Sequence, residues 1–455
     1  MITTQAIPEL LPFKLGEGLV LRRSSIEDAE ALSDFNARVH SDEGPDHPDE
    51  KVWAWTYDLM VRPHPTFKTT DFTIVENETN GQIVSAMNLI PQTWTFVGIP
   101  FKVGRPELVG TLPEFRNRGL VRRQFELIHQ WSEQNGDLVQ AITGIPYYYR
   151  LFGYEMAMNL SGGRAGFPTH IPRLKEGESE PYHFRPAVEA DIPFLSDLYK
   201  FGCKRSLVAC DWDDLLWRYE LSVKSAKNVN RAEVMVIETT DGKLCGFIAH
   251  PGFPWGDMLA VQRYEILPEY SWLDVTPSVI RYLETTYQQL PPDHGDKKPF
   301  GAFGFWLGED HPVYRVMTDH LPRVRKPYAW YLRLPDVAEF LRLITPALEQ
   351  RLAASPIAGY SGEVKITFYR DGVRVVLEKG KLVTVEAWSP EPLRHEGLSG
   401  NAGFPPHTFL QLLFGYRNLE MLKASFADCW TDRDEIHALL EALFPKQPSD
   451  VWPIS

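Results

Sequence analysis

One stretch of the chain is written twice, and this constrains the fold more than any other feature. Leu19–Asn36 (LVLRRSSIEDAEALSDFN) lies on Tyr182–Tyr199 (YHFRPAVEADIPFLSDLY) at a constant offset. The offset matches Arg22 with Arg185, Asp28 with Asp191, and Leu32-Ser33-Asp34 with Leu195-Ser196-Asp197. Both copies predict a short strand, a turn and an amphipathic helix. Downstream, Phe72–Ala86 (FTIVENETNGQIVSA) answers Val234–Ala249 (VMVIETTDGKLCGFIA), each an apolar strand, a turn at Asn80-Gly81 or Asp241-Gly242, and a second strand. The same strand–helix–hairpin unit therefore occurs twice.

The chain of 455 residues has length for about three domains. Ser161–Pro181, rich in Gly, Pro and charge, reads as a boundary. After the second unit a helical segment (Pro335–Leu352) leads to a half-buried meander. There Val364, Ile366 and Phe368 alternate with polar neighbours before an Asp371-Gly372 turn into Val373, Val375 and Leu377. Two helices are expected after it. The last carries Ile436, Leu439, Leu440, Leu443 and Phe444 on one face behind a capping-box-like start at Thr431–Asp434. The expectation is a mixed α+β chain divided at 1–165, 182–334 and 335–455.

Composition narrows the setting. Sixty acidic against 47 basic residues leave a net charge of −13, which repels phosphate backbones and excludes nucleic acid as an expected partner. Cys203, Cys210, Cys245 and Cys429 form no Cys-x-x-Cys pair, in keeping with a reducing, cytoplasmic location. Ile83–Phe101 is uncharged, but Asn88, Pro91, Gln92, Thr93 and Thr95 make it two sheet strands rather than a membrane span. The first residues, MITTQAIPELLPFKLGEG, lack the basic-then-apolar order of a secretory signal.

The segment that carries chemistry is Glu107–Leu112, Pro113, then Arg116-Asn117-Arg118-Gly119-Leu120-Val121 at a helix start. Val121, Phe125, Leu127, Ile128 and Trp131 give that helix one apolar face. Free backbone N–H groups and the positive end of the helix dipole make its N-terminus a seat for an anion. Gly119 admits close approach, and Arg116, Arg118 and Arg122 add charge. The second unit reads Glu265–Val275 (EILPEYSWLDV) at the corresponding place, without the arginines or the glycine, and is expected to be a degenerate copy that packs or shapes a substrate channel.

This strand–Pro–Arg-x-x-Gly–helix arrangement resembles the acetyl-CoA pyrophosphate loop of the GNAT acetyltransferases, although the last position is Val121 where many members have Gly or Ala. Two such units followed by a sterol-carrier-like α+β domain resemble the layout of the enhanced intracellular survival (Eis-like) acetyltransferases over essentially the whole chain. Tyr147–Tyr154 (YYYRLFGY) is similar to that family's Tyr-x-x-Phe-Gly-Tyr segment. The resemblance implies an acetyl-CoA-dependent N-acetyltransferase. Val109, Gly110 and Thr111 would pair with the pantetheine arm, Arg116–Arg122 (with Asn117, Arg118, Gly119, Leu120 and Val121) would hold the pyrophosphate, and Gly144 and Ile145 would help hold acetyl-CoA where the sheet splays. It also implies Tyr149 as general acid and the α-carboxylate of Ser455 as general base, brought in by the tail Val451-Trp452-Pro453-Ile454. Amines of an aminoglycoside-like small molecule or a protein lysine would be the acceptors, and a hexamer the assembly.

Asp42, Glu43, Asp46, Asp49 and Glu50, followed by Trp53, Trp55 and Tyr57, fit either an acidic aromatic wall for a cationic acceptor or a solvated loop leading into a core helix. The thirteen histidines form no metal-ligand spacing, so no metal is expected. Two other functions compete: a lipid- or sterol-binding carrier that uses the third domain, and aminoacyl transfer from charged tRNA, against which the acidic balance speaks.

Overall fold

The computed structural model describes residues 11–292, 296–391 and 399–455; residues 1–10, which contain much of the stretch read for a secretory signal, lie outside it. The first unit runs β1 (Phe13–Gly16), β2 (Leu19–Arg23), α1 (Ala29–Val39), α2 (Glu50–Val61), β3 (Phe72–Asn77), β4 (Gln82–Phe96), β5 (Ile99–Thr111), α3 (Leu120–Gln134), β6 (Val139–Ile142), β7 (Glu155–Leu160) and β8 (Gly163–Gly166). The second runs β9 (Tyr182–Pro186), α4 (Ile192–Cys203), β10 (Val208–Cys210), α5 (Asp214–Arg218), β11 (Ala232–Thr239), β12 (Leu244–Pro251), β13 (Met258–Val261), β14 (Arg263–Ile266), α6 (Trp272–Gln289), β15 (Ala302–Phe305), α7 (Val313–Val316), β16 (Arg323–Arg325) and β17 (Tyr328–Arg333). The last third holds α8 (Val337–Leu343), α9 (Thr345–Ala353), β18 (Gly362–Thr367), β19 (Gly372–Glu378), β20 (Lys381–Trp388), β21 (Ala402–Gly403), α10 (Phe409–Leu413), α11 (Leu419–Ser425), β22 (Trp430–Thr431) and α12 (Asp434–Leu443).

Alternation along the first sheet sends residues to two cores. Leu21, Val75, Val84 and Met87 meet Phe125, Ile128 and Trp131 of α3, whereas Phe72, Ile74, Ile83 and Ala86 meet Leu32, Phe35, Trp55 and Leu59 of α1 and α2. The sheet order is β1-β2-β3-β4-β5-β6-β17-β7, with β10 added against β4. β17, which follows the second unit in sequence, therefore lies between β6 and β7 and pairs antiparallel with both. In return β8, from the Gly- and Pro-rich boundary segment, lies between β15 and β16. The two units exchange strands, so neither sheet is complete without the other's chain.

The repeated residues do the same local work in both places. The Arg22 guanidinium clamps Asp28 (2.7 Å) and donates through Nε to Glu76 (2.7 Å), and Arg185 holds Asp191 (2.6 Å) and Glu238 (2.8 Å) in the same way. The Asp28 and Asp191 carboxylates also accept the backbone N–H of Ser25 and Val188, tying the turn before each helix to its strand.

Elsewhere the structure departs from the sequence expectations in defined ways. The helical segment Pro335–Leu352 is two helices, α8 and α9, parted at Ile344. Three helices, not two, follow the meander among the described residues. The expected capping box before α12 does not form: the N-cap is Arg433, with extended backbone and no capping side chain. Asp434 and Glu435 supply negative charge to the first turn instead. Among the described residues no helix is long and apolar enough to cross a membrane.

Asp137, at the turn from α3 into β6, is buried and accepts a hydrogen bond from the Ser132 hydroxyl (2.7 Å). Burial raises its carboxyl from the ordinary 3.8 to about 6. The native state therefore keeps a proton that the unfolded chain has lost, and stability falls as pH rises through that window by up to about 1.4 kcal/mol per unit. Asp137→Asn should flatten this slope between about pH 4 and 6 in denaturant titrations; an unchanged slope would show that Asp137 is not its source.

Candidate active site

The site begins where two strands part. β5 and β6 pair in parallel only at Val103–Gly104 with Val139–Gln140. Beyond them β6 turns to β17, while β5 stays with β4. A bulge in β5 accentuates the opening: Ala86 faces Gly110 and Asn88 faces Glu107, leaving Leu108 in the left-handed region at φ +51°. For a leucine that conformation costs on the order of 1–3 kcal/mol, which the packing of Leu108 against α1 and α2 offsets.

A cavity of about 560 Å³ fills the gap, and its lining includes Val109, Gly110, Thr111, Arg116, Asn117, Gly119, Leu120, Val121, Arg122 and Ile145. Two expected members stand apart. Arg118 turns to Glu17 (3.1 Å) and stacks over Phe115, and Gly144 lies behind the lining, against the Tyr149 hydroxyl. At the mouth, Gly119 is the N-cap of α3 at φ +78°, with no side chain closing the helix end and no acidic residue in the first turn. The first N–H groups of α3 thus face the cavity beside Arg116 and Arg122. The corresponding α6 is different: Ser271 caps it with its own hydroxyl and Asp274 sits in its first turn. A negative charge at the α3 start gains roughly 0.3–1 kcal/mol from the dipole, whereas α6 already carries its own.

Tyr149 lies behind the lining of the cavity, next to Tyr148, which is part of it. Its ring is buried edge-on against Phe125, Tyr148 and Tyr331 at 5.4–6.1 Å. Burial, then the charge of nearby Glu107, pushes the phenol above its ordinary pKa, so it keeps its proton at neutral pH and can donate it. Glu107 pairs with Arg105, and Arg105 in turn donates to the Ile454 carbonyl (2.8 Å), as does Gln92 Nε2 (2.8 Å).

These bonds are the end of a docked tail. Leu207 N–H donates to Pro448 O, Val208 N–H to the Ser449 hydroxyl, and Arg263 pairs with Asp450 (2.9 Å). Trp452 stacks on Trp212 at 4.2 Å while Trp212 Nε1 donates to its carbonyl (2.9 Å). An aromatic pair of this kind contributes about 0.5–1.5 kcal/mol beyond the area it buries. Ser455 is buried at the base of a second cavity of about 510 Å³, with Asp42, Asp49, Phe253, Trp255 and Trp306 among its walls. An adjoining cavity of about 690 Å³ shares Asp49 and Phe253 and adds Glu43, Asp46, Glu50 and Glu233.

The acidic segment is thus both things that its letters allow. Asp49 caps α2 through the N–H groups of Lys51 and Val52, and all five acidic residues of the segment also line these cavities. Of the aromatics, Trp55 is in the core, whereas Trp53 and Tyr57 stack at 4.7 Å beside Glu50 and line neither of the two cavities. Sequence reasoning missed Gln92, Arg105, Glu107 and Trp212. The available signal was charge inside an otherwise apolar central strand, because Arg105 and Glu107 are too costly to bury there without a task. His40 was also missed. It lines the first cavity above Gly110, and burial keeps its imidazole neutral.

With the geometry in place, comparisons identify its type. The family model described as Acetyltransferase (GNAT) domain matches residues 21–157. Similar solved structures include a probable N-acyltransferase from Enterococcus faecalis V583 (13% identity, TM-score 0.65, covering 96% of this chain and 100% of that one). Another is a GCN5-related N-acetyltransferase from Kribbella flavida (16%, 0.62, 96% and 100%), and a third is Eis1 from Mycobacterium abscessus (13%, 0.55, 94% and 98%). At such identities these likenesses speak for the fold. No curated protein matches the sequence. The chain is an enzyme whose residues 21–157 form a GNAT-type N-acetyltransferase domain.

Proposed function

We propose that the chain transfers the acetyl group of acetyl-CoA directly to an amine of a cationic acceptor, with Tyr149 as general acid and the α-carboxylate of Ser455 as general base. GNAT domains use acetyl-CoA, and the residues present fit it. The uncapped, acid-free start of α3 with Arg116 and Arg122 suits a pyrophosphate, and the free edge of β5 at Val109–Thr111 suits an extended arm bearing amides. When bound, acetyl-CoA supplies a thioester that an uncharged amine can attack. The observation that carries the reading is the Arg105–Glu107 pair: Arg105 donates to the Ile454 carbonyl of the docked chain end, and Glu107 is near enough to Tyr149 for its charge to help hold the phenol in its protonated form.

In this reading the Ser455 carboxylate takes a proton from the acceptor ammonium, directly or through water. Tyr149 gives a proton to the departing thiolate, and its burial keeps it in the donor form. The acidic and aromatic lining of the two neighbouring cavities supports a small polyamine or aminoglycoside, or a protein lysine, as acceptor. Phe253, Trp255 and Trp306 belong to the second unit, which supports its role as a channel wall rather than a second catalyst. The finer layout extends this proposal: catalytic GNAT unit (1–165), degenerate GNAT unit (182–334) and sterol-carrier-like unit (335–455), assembled as cytoplasmic hexamers of the Eis-like kind.

Two variants test the roles. Tyr149→Phe should lower kcat by about 10²-fold in a thiol-release assay with an amine panel while leaving acetyl-CoA affinity within about twofold; an undiminished kcat would remove Tyr149 as the acid. Residues appended after Ser455 should depress kcat to a similar degree at unchanged acetyl-CoA affinity, and a normal rate would assign the base elsewhere.

A further inference from the structure

Tyr331 is a candidate for work at the reacting centre that its place in the sequence conceals. It lies on β17, and its backbone pairs with Ile142 at the end of β6 and with Met156 near the start of β7. These are the two strands that the Tyr149 segment joins. The Tyr331 side chain is fully buried and, like that of Tyr149, stands behind Ile145 and Tyr148, which line the cavity between β5 and β6.

What it does touch is the segment that carries Tyr149. The Tyr331 hydroxyl accepts the backbone N–H of Tyr147, 184 residues away, and donates to the Ile145 carbonyl (3.4 Å). Tyr147 sits in the left-handed region at φ +68°, strained for a tyrosine, and its N–H finds its partner in that hydroxyl. The Tyr331 ring also meets Tyr149 edge-on at 5.4 Å. Three residues earlier on the same strand, the Tyr328 hydroxyl donates to the Gly144 carbonyl (3.3 Å). A side chain at Gly144 would meet the Tyr149 hydroxyl, so the two are neighbours.

We propose that Tyr331 is a positioning residue: its hydroxyl fixes the 144–147 turn and its ring fixes the Tyr149 ring, so the strand exchanged from the second unit sets the aim of the first unit's proton donor. This rests on the reading of Tyr149 as the acid. A mispointed donor slows the step that consumes its proton without loosening acetyl-CoA, which other elements hold. A residue that merely supported the fold would change stability and binding together.

The test uses the full-length protein, acetyl-CoA and an amine from the panel that supports thiol release. Tyr331→Phe keeps the ring and removes the two hydroxyl contacts. The expected result is a fall in kcat of about tenfold with acetyl-CoA affinity within about twofold, and no further fall when Tyr331→Phe is added to Tyr149→Phe. A wild-type kcat, or the same tenfold loss in the Tyr149→Phe background, overturns the inference. A slow Tyr149→Phe beside a wild-type Tyr331→Phe removes the positioning role alone, whereas a wild-type Tyr149→Phe removes the acid reading and the inference with it. Should Tyr331→Phe fail to fold, Tyr328→Phe at the more exposed end of β17 carries the same test through Gly144: a loss of about threefold in kcat is expected, and an unchanged kcat overturns the inference.

Discussion

Two neighbouring strands that hold hands for two residues and then separate determine the rest of the site. Because β5 and β6 pair only at Val103–Gly104 with Val139–Gln140, the sheet has a wedge missing from its middle, and the residues proposed to hold acetyl-CoA line it. The bulge at Leu108 turns β5 so that Val109–Thr111 present their edge to the opening. α3 starts at its mouth, and Tyr149 stands behind its lining. Each strand beside the opening is held along its other edge: β5 by β4, and β6 by β17, which is drawn from the far side of the second unit.

The exchange of β8 and β17 explains why the chain keeps a second unit whose own helix start is shut to anions. Ser271 and Asp274 satisfy the α6 terminus from within, leaving no demand for an outside negative charge, while Gly119 leaves the α3 terminus open. The second unit instead gives the first a strand, a wall of aromatic side chains and the bed for the tail. Trp212, Arg263 and the backbone of Leu207 and Val208 hold residues 448–452. The tail then reaches Arg105 and Gln92 of the first unit, so the docked end bridges both units.

Much of this was legible in the sequence, for reasons that can be named. The repeat was visible because the Arg22–Asp28 and Arg185–Asp191 clamps need a fixed spacing between strand and helix, and spacing survives in a sequence. The open start of α3 was visible because Gly119 and the arginines stand next to one another along the chain. The strand exchange was not, since nothing local in Tyr328–Arg333 says which sheet its apolar residues will join: an alternating strand fits either. Arg105 escaped for the same reason, its partner Ile454 lying 349 residues away in the tail, and Glu107, which pairs with Arg105, escaped with it. The capping box before α12 was misread because Thr431 is engaged in the β22 pairing with Ala402 and the helix begins only after Arg433.

The account's central claim is that acetyl-CoA enters one wedge per chain, the one between β5 and β6. Calorimetric titration of the purified full-length protein with acetyl-CoA measures this directly. One site per chain is predicted, because of the two corresponding helix starts that of α3 is open to the pyrophosphate and that of α6 is closed by Ser271 and Asp274. Two sites per chain would mean that the second unit binds as well, and no binding at all would mean that the Arg116–Val121 turn is structural only; either result would contradict the account.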